Sequence, residues 1–162
     1  MIVVVIVGLI YSLAIGGLRN FKDKKQSISL LDLPQKLKNI APKSNVRYVC
    51  IDRCKKCMVL VDGQIASDEF AKLVDDDIRV YAHDSYSGSR EYVFTPYFTK
   101  NENEEDVCFS FEVYKDGSFS KMILEYKDKF YDYYSPLSEV KVYDELQEAI
   151  DAKEALLLKV TN

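Results

Sequence analysis

The chain has 162 residues, 48% apolar and 30% charged, a composition ordinary for a globular protein with its own core. Its net charge of −4 is unevenly spread: residues 1–25 hold four basic side chains and one acidic one, which leaves −7 on the rest. An acidic body repels phosphate backbones, so nucleic acid is excluded as the expected partner.

Residues 1–18 carry no charged side chain. Eighteen helical residues rise about 27 Å, close to the thickness of a hydrocarbon core, so the segment is predicted to be a transmembrane anchor. A cleaved signal peptide would want a basic leader before the apolar run, and Ala14-Ile15-Gly16 would be its cleavage site. A buried strand would account for Ile2 to Val7 but not for the run on to Leu18. Arg19, Lys22, Lys24 and Lys25 follow the apolar run directly, and the positive-inside rule then places the following domain in the cytoplasm. Residues 19–28 read as a basic and polar tether, and 29–162 as a single domain.

Within that domain, Asp32-Leu33-Pro34-Gln35 has the form of a helix start, with Leu33, Leu37 and Ile40 on one face and Pro42 beyond the end. Val46–Ile51 is β-rich, Cys54–Cys57 reads as a turn, and Met58–Val61 as the next strand. Ser67, with Asp68 and Glu69 after it, predicts a second helix that turns Phe70, Leu73 and Val74 inward. Ile78–His83 alternates as a strand, 84–90 reads as a polar loop, and Tyr92–Thr99 is extended around Pro96. An acidic loop at 100–106 precedes the clearest strand, Val107–Val113. Lys115-Asp116-Gly117 turns it into a partner over Phe119–Tyr126, with extended chain on to Tyr133. Val140–Tyr143 is a short strand. Asp144 and Gln147 open a third helix, whose buried stripe includes Leu146, Ala149 and Ile150. The expected fold is therefore α+β: one N-terminal transmembrane helix, then a small mixed or antiparallel sheet domain with about three helices.

Cys50, Cys54 and Cys57 follow the spacing C-x3-C-x2-C, and Cys108 stands alone. This spacing matches a radical-SAM cluster motif literally, but Lys56 replaces the usual aromatic and too little chain follows for that family's barrel. A zinc site would use Cys50, Cys54 and Cys57, with Cys108 or His83 as the fourth ligand. The order strand, CxxC, helix, strand, proline, hairpin, helix resembles a thioredoxin-like domain. That resemblance implies Cys54 as attacking thiolate, Cys57 as resolving thiol and a cis Pro96 beside them. The chain departs from the family in lacking its aromatic before the first cysteine, and Val61-Asp62-Gly63 interrupts the expected active-site helix. In a reducing cytoplasm, structural thiols are the default reading. In an exported domain, the four would instead form two disulfides with Cys108 in one of them.

His83, followed by Asp84, could serve as a base oriented by a carboxylate, but the sequence fixes no nucleophile near it. Asp75-Asp76-Asp77 lacks any calcium-loop spacing. Tyr126, Phe130, Tyr131, Tyr133 and Tyr134 crowd together, and tyrosine is enriched at interfaces, so these five are the expected partner-binding residues. No phosphate loop or hydrolase motif is present, and no small-molecule substrate can be identified. The functional expectation is a single-pass, membrane-anchored, non-catalytic interaction protein with a protein partner and no cofactor, a subunit of a membrane complex. A tethered thiol–disulfide oxidoreductase and a small zinc-binding domain are the alternatives.

Overall fold

The computed structural model describes residues 28–67, 70–84, 88–98, 104–134 and 139–160. The strand Val107–Val113 shows most directly how sequence becomes structure here. Side chains alternate across a strand, and Phe109, Phe111 and Val113 are buried while Ser110 and Glu112 lie on the opposite face, half-buried. A bulge opposite Cys50 and Ile51 breaks the alternation at the strand's start, so Val107 packs on the second cluster and Cys108 against the main one.

In chain order the elements are α1 (Leu33–Ile40), β1 (Val46–Ile51), β2 (Lys56–Val61), β3 (Gln64–Ser67), β4 (Arg79–Asp84) and β5 (Gly88–Glu91). Then come β6 (Tyr97–Phe98), β7 (Glu104–Glu105), β8 (Val107–Val113), β9 (Ile123–Tyr126), β10 (Lys129–Asp132), β11 (Lys141–Tyr143) and α2 (Leu146–Val160). They form one sheet in the order β3-β2-β1-β8, a second in the order β11-β10-β9-β4-β5, and a small β6-β7 ribbon. All of these pairings are antiparallel.

Tight turns of fitting chemistry make the neighbouring strands pair. Asp62-Gly63 joins β2 to β3, and Lys127-Asp128 joins β9 to β10, each with two positive φ angles in a row. That backbone twist matches the twist of a two-strand hairpin. Gly117 has φ +87°, which favours glycine; a Cβ there would fall 2.8 Å from the Lys38 ammonium, the mobile end of a side chain that can move aside.

The main core lies on the face of the first sheet that carries Val46, Tyr48, Cys50, Val59, Phe109, Phe111 and Val113. Leu33 and Leu37 of α1 pack there, together with Val80 and Leu124 of the second sheet and Tyr133. Edge-to-face and tilted ring contacts fill it: Phe111 lies 4.9 Å from Tyr133, and Tyr48 lies 6.0 Å from Phe109 between centroids. The opposite face of the same sheet is apolar as well. Val49, Ile51, Met58 and Leu60 are buried there, with Tyr97 and Val107 packed against them. Burial on both faces is why β1 and β2 read as nearly unbroken apolar runs rather than alternating ones. A third, smaller cluster seats α2 through Ala149 and Ile150 on Ile123.

Several expectations are corrected. The domain is mostly antiparallel β-sheet with two helices among the described residues, not α+β with about three. The helix expected after Ser67 does not form. Ser67 ends β3, and residues 70–75 are irregular although Val74 is buried and Phe70 and Leu73 partly so. Backbone groups there bond elsewhere: Phe70 N–H donates to the Cys57 carbonyl, the Tyr48 hydroxyl donates to the Ala71 carbonyl, and Leu73 N–H donates to that hydroxyl. With those groups satisfied, the segment gains little from an internal helical ladder. Part of the expected loop at 84–90 is strand β5, paired to β4. Ile40, expected to face inward, is 42% exposed at the end of α1. The single-pass membrane architecture is not found among the described residues. Neither described helix is long and apolar enough to cross a membrane, and residues 1–18, where the anchor was expected, lie outside the described residues.

Candidate functional site

The four cysteines gather at one end of the first sheet, all of them bridged. Cys50 and Cys57 face each other in the β1–β2 register, with Cα atoms 4.1 Å apart, and form one disulfide; Cys54 and Cys108 form the other. The free thiols expected from a reducing compartment are not found. Cys54 and Cys57 belong to different bridges, in a β-hairpin rather than at a helix start, and no described peptide bond is cis, Pro96 included. Bridged sulfurs offer no thiolate to a metal, and His83 belongs to the other sheet. Among the described residues no group of three His, Cys, Asp or Glu side chains is placed to hold a metal ion. The bridges clamp an unusual turn. Asp52, Arg53 and Cys54 all have φ near +50°, a left-handed run that costs about 1–2 kcal/mol per residue.

His83 meets a hydroxyl that the sequence could not place beside it. Its Nδ1 lies 2.8 Å from the Ser89 hydroxyl, directly opposite on β5. The ring is buried, and Nε2 has no hydrogen-bond partner among the described residues; Glu154 of α2 stands 3.7 Å away. The Tyr134 hydroxyl accepts the His83 N–H at 2.6 Å and donates to the His83 carbonyl. Lys153 of α2 donates to that same carbonyl and stacks its ammonium 3.8 Å above the Tyr134 ring. Burial lowers the Lys153 pKa and raises that of Tyr134. Neither Ser89 nor His83 lines any of the three clefts described among these residues. The contacts of this cluster tie α2 to the end of β4, which the small apolar seat of Ala149 and Ile150 does not do alone.

Asp132 lies beside this cluster, buried, accepting the Tyr134 N–H. Burial raises its pKa, with Lys141 and Lys153 pulling the other way. The folded state therefore binds more protons than the unfolded chain above the ordinary aspartate value of 3.8. This group's contribution to stability falls as pH rises through that window to the raised value. Asp132→Asn keeps an acceptor for Tyr134. We expect it to be as stable as the parent or more so at neutral pH, and to lose that part of the pH dependence. Urea midpoints between pH 4 and 7 check this; a variant clearly weaker at pH 7 would show the lysine partners to dominate.

The five aromatic residues expected at a partner surface are placed mostly inward. Tyr133 is fully buried and donates its hydroxyl to the Leu30 carbonyl, and Tyr126 is buried and donates to Asp75. Tyr131 packs against the main core, while Phe130 and Tyr134 pack on the cluster under α2.

The exposed aromatic surface lies elsewhere, on a strap that leaves β5 and runs through Tyr92–Phe98. Val93 is 85% exposed and Phe98 65%. Phe94 reaches inward to Phe109, whereas Tyr97 packs on the opposite face of the first sheet, so the strap passes around the β8 edge. Between strap and sheets lies a cleft of about 430 Å3. Tyr92, Phe94, Pro96 and Tyr97 wall one side. Ser110 and a salt-bridged Arg47–Glu112 pair, 2.7 Å apart, lie on the other, and Lys121 contributes to the lining. The signal for this surface was present in Tyr-Val-Phe-Thr-Pro-Tyr-Phe, five large apolar or aromatic side chains in seven residues around a proline. No protein-family model matches the chain, and no significant match to it is found among curated proteins or solved structures.

Proposed function

We propose that this domain is a non-catalytic protein-interaction module, one subunit of a larger assembly, that engages its partner through the Tyr92–Phe98 strap and the cleft behind it. The observation that carries this reading is the exposure of Val93 and Phe98 on a strap whose other side chains anchor it on both faces of a sheet. Large apolar side chains held exposed on an anchored backbone mark interaction surfaces. Two disulfides support work in an oxidising compartment rather than the cytoplasm expected from the basic flank, since such bridges are rare where thiols are kept reduced.

A photo-crosslinking residue placed at Val93 or Phe98 in the producing cell tests the surface directly. Discrete adducts are expected from both positions and none from exposed Glu148 on α2. Adducts from neither strap position, or equally from Glu148, would overturn the reading.

A further inference from the structure

From the geometry of the β8 edge we propose that the cleft takes a short extended stretch of a partner polypeptide. That stretch pairs main chain to main chain with Ser110 and places an acidic side chain by Lys121. The inference rests on the interaction reading above and specifies its chemistry.

Strand β8 is the last strand of its sheet, so one of its edges has no neighbouring strand. Which residues face that edge follows from two independent contacts. The close Cα approach of Cys50 and Cys57 marks a non-hydrogen-bonded pair, so the main-chain groups of Cys50 point toward β8 and its opposite number Phe109. By alternation those of Ser110 and Glu112 point outward. At the far end, Glu112 confirms this: its N–H donates to the Ser120 hydroxyl, and its carbonyl accepts the Ser120 N–H. The segment after the β8 turn thus covers Glu112, and the strap crosses near Phe109. Between them the Ser110 N–H and carbonyl meet no partner from any described residue, and Ser110 lines the cleft.

One donor and one acceptor side by side on a strand edge fit a peptide unit. The cleft volume holds two or three residues, not a long strand. Aromatic walls favour an apolar or aromatic side chain beside the paired residue. The cation at Lys121, and the Arg47 N–H groups left over from Glu112, favour a carboxylate.

The test is to pan a phage-displayed random heptapeptide library on the intact, oxidised chain, then synthesise the enriched sequence. Enriched peptides should carry an acidic residue near an aromatic or aliphatic one. Binding should slow exchange of the Ser110 amide at least tenfold. Ser110→Ala should leave affinity unchanged, Ser110→Pro should lower it tenfold or more, and Lys121→Glu should lower it severalfold. Ser110→Pro removes an N–H that serves no ladder bond, so it should fold; if it does not, the amide-exchange readout on the unaltered chain decides. No enrichment, or a bound peptide that leaves Ser110 exchange unchanged, overturns the proposal. Crosslinks from Val93 and Phe98 obtained with either of those results would leave the broader interaction reading standing and sink only the strand-pairing one.

Discussion

Removing the Cys54–Cys108 bridge should destabilise the domain by about 4 kcal/mol, against about 2.5 kcal/mol for Cys50–Cys57, from the chain entropy released in the unfolded state. The difference follows from topology. Cys54 and Cys108 are 54 residues apart and close a loop that spans β2 to β7, whereas Cys50 and Cys57 are 7 apart and close one hairpin turn. The long loop forbids far more unfolded conformations. The Cys54–Cys108 pair should be replaced together, as Cys54→Ser with Cys108→Ser, because a single replacement leaves a reactive thiol. Since a domain of this size is stable by only about 5–15 kcal/mol, the double variant should lose about a quarter or more of its stability. Denaturant midpoints of the two double variants, each against the parent, give the ordering. An equal loss from both would mean that the entropic account is wrong here and that the left-handed run at Asp52, Arg53 and Cys54 relaxes the same way when either bridge goes.

Local signals were legible where chemistry is local. The helix start at Leu33-Pro34 and the alternation from Phe109 to Val113 were readable and correspond to elements. The Asp116-Gly117 turn forms too, but it closes a single Val113–Phe119 bridge, and the strand expected to pair with β8 joins the second sheet between β10 and β4 instead. The Ser67 cap pattern was as good on paper as the Asp32 one, yet the helix lost. Tyr48, more than twenty residues away, supplies a hydroxyl to the backbone at Ala71 and Leu73, and no local pattern encodes that. Parity placed Cys108 on the face opposite Phe109 and Phe111, but a bulge at the start of β8 turns it against the main core. Nor could parity reveal that Cys54 would meet it there, because disulfide pairing is decided by how sheets assemble. The inward placement of the tyrosine cluster was hidden for a related reason. Tyrosine serves a core as readily as an interface once its hydroxyl finds a partner, and Tyr133 finds the Leu30 carbonyl 103 residues away in sequence. The strap was visible as an apolar run around Pro96. Only the structure distinguishes Phe94 and Tyr97, which anchor it, from Val93 and Phe98, which remain outside.

The centre of the core should respond as strongly as the long disulfide. Phe111 is fully buried, touches Phe119 and Tyr133, and sits where α1, the first sheet and the chain after β10 meet. Phe111→Ala removes most of a ring's burial and leaves a cavity that three separate elements would have to close, so a loss of about 3–5 kcal/mol is expected. Tyr133→Phe separates packing from hydrogen bonding at the same spot. The ring stays, but the Leu30 carbonyl loses its donor in a buried position, and about 1 kcal/mol should follow. That bond holds the chain ahead of α1 against the end of β10, so its loss should also speed amide exchange around Leu30 more than around β8. If Phe111→Ala cost under about 1 kcal/mol, the aromatic cluster would be a loosely filled space rather than the centre of the fold. The strap would then have no rigid wall behind it, since Phe94 rests on Phe109, the next inward residue of the same strand.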